Sequence, residues 1–212
     1  MNFKVKNETE LTTARMETLV DGIFAIAMTV LVLDLKAPPS LTHLTSAQLA
    51  SYLAALGDDF INYVVSFILL ANFWVVHHKQ FHYIKRTDIH HLWINLAFVM
   101  FVGLVPFTTS LISRVADLWI ADIVFHLNIF ILSLLAALNW WYATWHFRLV
   151  DADIDKSRVE DGAMRSAVMP VICLLAAAVS PLIKGDSNYV YLLVPFAMRL
   201  APRLRKIFFR KR

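Results

Sequence analysis

The sequence predicts an all-α membrane protein of six transmembrane helices per chain, with the first helix set apart from the others. Three observations carry this expectation. The 212 residues are 58% hydrophobic with a mean hydropathy of +0.59, too apolar for a water-soluble domain of that length. Six apolar runs follow one another, bounded by polar or proline-containing connections. The cations concentrate on alternate connections, as they do in a chain threaded through a bilayer.

The first run, 15–36, reads RMETLVDGIFAIAMTVLVLDLK. Only twelve uncharged residues separate Asp21 from Asp34, which as a helix cover ~18 Å of a ~30 Å hydrocarbon core. Carboxylates at both ends of so short a run fit a helix that faces protein or a water-filled path. On a helical wheel Gly22, Ile26, Thr29, Val30 and Leu33 share one face, a narrow stripe of small and aliphatic residues with a single hydroxyl, while Asp21 points nearly the opposite way. A face exposed to a path and a face tied into a bundle would produce this split; so would a helix with an ordinary packed aliphatic side. The run ends at the breaker Ala37-Pro38-Pro39-Ser40.

A short interfacial helix is expected over Ser46 to Leu56, followed by the second run (60–83), the turn Lys85-Arg86-Thr87-Asp88 and the third run (89–112). The fourth (118–147) opens at Trp119 and closes with Trp140, Trp141 and Trp145, placed as interfacial anchors. The fifth (163–183) carries Pro170 and Pro181, and the sixth (189–209) runs into Arg199, Arg203, Arg205 and Lys206 before Arg210-Lys211-Arg212. No internal repeat is evident, so the chain reads as one domain.

Lys4, Lys6 and Arg15 precede the first run; Lys79, Lys85 and Arg86 lie near the second connection; Arg148, Lys156 and Arg158 near the fourth; the basic tail follows the sixth. Lys36, Arg114 and Lys184 are the few cations on the other side. Both termini are therefore expected in the cytoplasm, with the protein in the cell membrane and its tail near anionic lipid. This distribution accounts for the net charge of +4 and pI near 9.3 without nucleic acid. The polar start lacks the apolar core of a signal peptide, and the sequon Asn7-Glu8-Thr9 falls on the cytoplasmic side. Cys173 is the sole cysteine, which excludes an intrachain disulfide and a cysteine-based metal site.

His77, His78, His82, His90 and His91 cluster where the second run meets the third. His78 and His82 share a helix face, a spacing that can hold a metal, but no matching set recurs on another helix and no carboxylates are interleaved. Histidine and tryptophan at the cytoplasmic end of a span serve more simply as hydrogen-bonding residues. Asp21 lies at a depth similar to Trp74, His77 and Asn95, so indole, imidazole and amide groups are available to satisfy it. Asp151-Ala152-Asp153-Ile154-Asp155-Lys156 begins like an EF-hand loop, but Lys156 stands where the turn needs glycine and Gly162 where a bidentate carboxylate is needed. No glycine-rich phosphate loop, GxSxG elbow or TVGYG filter is present.

Taken together, Arg15, Asp21, Gly22, Ala25, Ile26, Thr29, Leu33 and Asp34, then Phe73, Trp74, His77 and His78, then Trp93, Asn95, Pro106 and Phe107 resemble the signature positions of the lysosomal-type transmembrane potassium channels in their single-unit prokaryotic form. Leu19-Val20 stands where that family carries Phe-Ser before the aspartate. The resemblance implies six helices per chain and a homotetramer whose first helices surround a pore. It implies Ile26 as the narrowest hydrophobic ring, Val30 and Leu33 as outer rings with Thr29 beside them, Asp34 at the outer mouth, and Arg15, Asp21, Trp74, His77 and Asn95 as the network that holds the pore helix.

The function expected is a potassium-permeable cation channel, not an enzyme, with no cofactor beyond permeant K+ and modest preference for K+ over Na+. The alternative is a proton-coupled transporter using Asp21 and the helix-end histidines as relays.

Overall fold

The computed structural model describes residues 12–38, 44–115, 118–183 and 187–200. Lys4, Lys6, the sequon, Pro39-Ser40, Lys184 and the tail from residue 201 onward lie outside them.

Among the described residues the regular secondary structure is helical apart from a single bridge. α1 (Thr13–Val30) tightens into a 3-10 turn, Leu31–Asp34, and the chain leaves in extended form at Leu35 before Pro38. α2 (Ser46–Ala55) opens on a capping box in which Thr45 and Gln48 satisfy each other's backbone donors. It is separated by Leu56 alone from α3 (Gly57–Tyr83). α4 (Ile89–Arg114) is capped by Asp88, α5 (Trp119–Thr144) ends in the 3-10 turn Trp145–Phe147, and α6 (Lys156–Val179) is capped by Asp155. That cap, an Asp155 carboxylate accepting from the Ser157 N–H at 2.9 Å, starts α6 earlier than its apolar run alone indicates. A further 3-10 turn spans Ser187–Leu193 and residues 194–200 are helical; the remainder of the sixth run, 201–209, lies outside the described residues.

Among the described residues five helices are long and apolar enough to cross a bilayer: Thr13–Asp34, Gly57–Tyr83, Ile89–Arg114, Trp119–Phe147 and Lys156–Val179. α5 is the central post, packed along both α4 and α6, while α1 lies against α4 and α3 at the edge of the bundle. In lipid an apolar side chain gains little by leaving hydrocarbon for protein, so helix association relies on close packing and interhelical hydrogen bonds. Both are present. Phe24 of α1 meets Phe98 of α4 at 5.9 Å between ring centroids, and Phe98 meets Phe73 of α3 at 6.4 Å. His77 is sandwiched by Phe81 at 4.3 Å and Phe98 at 5.5 Å. At the end bearing the α3–α4 turn, Ile84 bridges to Val150, and Arg86 donates to the Val150 carbonyl at 2.9 Å, joining two connections far apart in sequence.

Candidate functional site

α1 presents two unlike faces. Met16, Val20, Phe24, Ala27 and Leu31, three or four residues apart, are buried against α3 and α4. On the other side Gly22, Ile26, Thr29, Val30 and Leu33 are exposed, Ile26 to 60%, Val30 to 38% and Leu33 to 71% of their surface. A Cβ added at Gly22 would meet nothing within 4 Å, so the stripe is slimmest there. The Thr29 hydroxyl directs its hydrogen to its own helix, within reach of the Ala25 and Ile26 carbonyls at 3.0 and 2.8 Å. Its lone pairs therefore face outward as acceptors.

Between α1 and α4 runs an apolar cleft of about 460 Å³, lined by Ile26, Val30 and Leu33 on one wall and by Gly103, Pro106 and Phe107 on the other. Phe107 is 61% exposed. At one end of the cleft, Asp34 accepts from the Ser110 hydroxyl at 2.8 Å and lies 3.6 Å from the Arg114 guanidinium. Asp34 is thus tied to α4 within its own chain, where the sequence shows only a carboxylate at a helix end.

Outside the cleft, nearer the start of α1, the Trp74 indole N–H donates to Asp21 at 2.8 Å, bracing α1 on α3, and the Trp74 ring stacks on His78. His77 and Asn95 are not joined to that pair by a hydrogen bond; they belong to a separate buried chain. Arg15 is exposed near the start of α1.

The buried chain has a definite polarity. The Gln80 amide N–H donates to the Ala136 carbonyl at 3.0 Å, so its oxygen accepts from Asn139 at 2.8 Å. The Asn139 oxygen accepts from the Asn95 amide at 2.8 Å, which also donates to the His91 carbonyl at 2.8 Å. That leaves the Asn95 oxygen to accept from Nε2 of His77 at 3.0 Å, which must carry the hydrogen. Backbone carbonyls fix the amide orientation at Gln80 and at Asn95, so each donor and acceptor direction along this chain follows. Gln80 and Asn139 are missed by motif reasoning; the available signal was an amide within an apolar run, where polar side chains rarely face lipid. Among the described residues no group of three histidine, cysteine or carboxylate side chains is arranged to hold a metal. Asp151 and Asp153 are exposed, and Asp155 serves as the α6 cap.

Five apolar helices among the described residues, three of them fastened by buried amide and imidazole groups, define an integral membrane protein of the all-helical class. The family model described as the endosomal/lysosomal potassium channel TMEM175 matches residues 15–106. A Streptomyces collinus protein named as a potassium channel is 32% identical over 163 residues, covering 73% of this chain and 75% of that protein. The crystal structure of a lysosomal potassium-selective channel TMEM175 homolog from Chamaesiphon minutus superposes with a TM-score of 0.75 at 26% identity, over 89% of this chain and 97% of that one. A mouse protein named as the endosomal/lysosomal proton channel TMEM175 is 27% identical, the match covering 95% of this chain but 44% of the mouse protein. The chain belongs to the TMEM175 potassium channel family, a family of ion channels and not of enzymes.

Proposed function

We propose that four copies of this chain assemble in the cell membrane, both termini cytoplasmic, as a potassium-permeable channel whose α1 helices line the central path. Each chain contributes a single domain of six spans, the sixth over 189–209. One observation carries this reading: Ile26 and Leu33 are among the more exposed residues of a helix whose opposite side is sealed, and they border an open apolar cleft. A lone copy leaves that face uncovered, and symmetric copies meeting about an axis would enclose it.

Ile26 forms the narrowest ring, Val30 and Leu33 the outer rings, and Thr29 offers hydroxyl lone pairs to a passing cation. Without a carbonyl cage, preference for K+ over Na+ arises because K+ gives up hydration water more readily at an oily constriction, so the preference is modest. The same rings gate by dewetting. Asp21–Trp74 fixes the rotation of α1 on α3, the His77–Asn95 chain stiffens the helices behind it, and Arg15 marks the inner end. Asp34 sits at the outer mouth with its charge partly offset by Arg114.

Reversal potentials of the reconstituted protein in asymmetric K+ and Na+ test this. Wild type should favour K+ modestly, and Ile26→Asn should raise the current while flattening the preference. An unchanged current and preference would remove Ile26 from the path. The name of the mouse relative raises proton conduction as a second reading. A current that follows an imposed pH gradient at symmetric K+ would support it, and a saturable, non-electrodiffusive flux would point to the transporter alternative.

A further inference from the structure

A second cleft, of about 530 Å³, opens between α3 and α6, on elements that the proposed ion path does not use. Its lining divides by polarity. Val75, Val76, Tyr83, Trp140 and Met198 form apolar walls, while Lys79, Arg158 and Arg165 bring three cations to it and Asp161 one carboxylate. Lys79 lies one turn from the end of α3, and Arg158 in the first turn of α6. The cations therefore gather at the end of the bundle where the connections carry Lys85, Arg86, Arg148 and Lys156, the end that meets a headgroup layer.

Arg165 sits deeper, about 13 Å along α6 from Lys156. Its guanidinium reaches the Met198 carbonyl at 3.4 Å and leaves further N–H donors for an anion. Gly162 forms part of the floor because a Cβ there would run into the Trp140 indole, whose N–H is already committed to the Val159 carbonyl at 3.0 Å. Deeper still, on α3, the Asn72 amide nitrogen is buried without a hydrogen-bond partner, about 10 Å along the helix from Lys79.

We propose that this cleft is a binding site for an anionic phospholipid, its phosphate held among Lys79, Arg158 and Arg165 and its glycerol-ester region directed toward the Asn72 amide. Bidentate guanidinium groups match phosphate oxygens, and the apolar walls suit acyl chains, which a free phosphate lacks.

The test uses the full-length chain in a neutral detergent, with lipid adducts counted by native mass spectrometry and unfolding midpoints recorded against added lipid. Dioleoylphosphatidylglycerol should give discrete adducts and raise the midpoint, whereas dioleoylphosphatidylcholine and inorganic phosphate at equal concentration should not. Lys79→Gln/Arg158→Gln, at two exposed positions, should weaken the phosphatidylglycerol effect roughly tenfold or more. Lys85→Gln/Lys156→Gln, equal in charge change but outside the cleft, should leave it in place. Equal responses to the two lipids, an equal response to inorganic phosphate, or equal losses in the two double variants would each overturn the assignment.

Discussion

At the scale of single residues, two carboxylates show how position decides what a charge does. Asp21 is exposed yet accepts from the Trp74 indole N–H across two helices. Trp74→Phe keeps an aromatic ring and deletes the donor, so it should lower the unfolding midpoint of the purified protein, with a loss of about 1 kcal/mol. If the bond also sets the rotation of α1, the open probability should change with it; identical stability and gating would leave the bond without a role. Asp88 is the second case. It caps α4 through the His91 N–H at 2.9 Å and accepts from the Tyr142 hydroxyl, on which Arg148 also bears. Burial acts to raise its carboxyl pKa, but the His91 and Tyr142 hydrogen bonds, with His90 and Arg148 nearby, outweigh this and hold it below its ordinary value. A depressed folded-state pKa means stability that is present above the unfolded value and fades as pH falls through the folded one. The midpoint difference between wild type and Asp88→Asn should therefore be full at neutral pH and shrink below about pH 4. A difference that stays constant down to pH 3 would contradict this.

At the scale of elements, the chain from Gln80 through Asn139 and Asn95 to His77 supplies the directional bonds that lipid-exposed apolar surface cannot. Asn95→Leu strands the His77 N–H and the Asn139 oxygen together and should cost about 1–3 kcal/mol, read as a lower midpoint in detergent. Asn139→Leu cuts the same chain one link away, so the double variant should lose less than the sum of the two; strict additivity would show the links to be independent. Much of this level was legible in advance. The stripe from Gly22 to Leu33 and the turn Lys85-Arg86-Thr87-Asp88 follow from periodicity and polarity, whereas Trp140, expected as an interfacial anchor, is buried and donates to the Val159 carbonyl. The pairing of amides was not, because which face of the third run meets the fourth depends on helix rotation, and a run so largely apolar leaves rotation open. The α6 start was hidden for a different reason: Asp155 looks like one of several loop acids until its carboxylate is seen to accept from Ser157.

At the scale of the whole molecule, the arrangement of copies is the point on which conduction turns. In a Cys173→Ala background, which removes the native thiol, Leu33→Cys with a flexible four-armed maleimide, which can join four single-thiol chains, should give a covalent ladder ending at four chains, because the proposed axis brings the exposed Leu33 positions together. A ladder stopping at two chains, or none, would refute that axis. From sequence alone the polytopic class was plain, since 58% hydrophobic residues in repeated apolar runs admit little else. The tethering of Asp34 to Ser110 and Arg114 was not, because those groups are far apart in the chain and meet only once α1 lies on α4. The 3-10 winding of Leu31–Asp34 has one more consequence. Three residues of such a helix complete a full circle over ~6 Å, whereas an α-helix covers ~300° over ~4.5 Å. Leu33 consequently eclipses Val30, and rewinding that one turn would swing its isobutyl group aside by ~60° and draw it in by ~1.5 Å, a vernier adjustment of the proposed aperture that pulls on the Asp34–Ser110 tether.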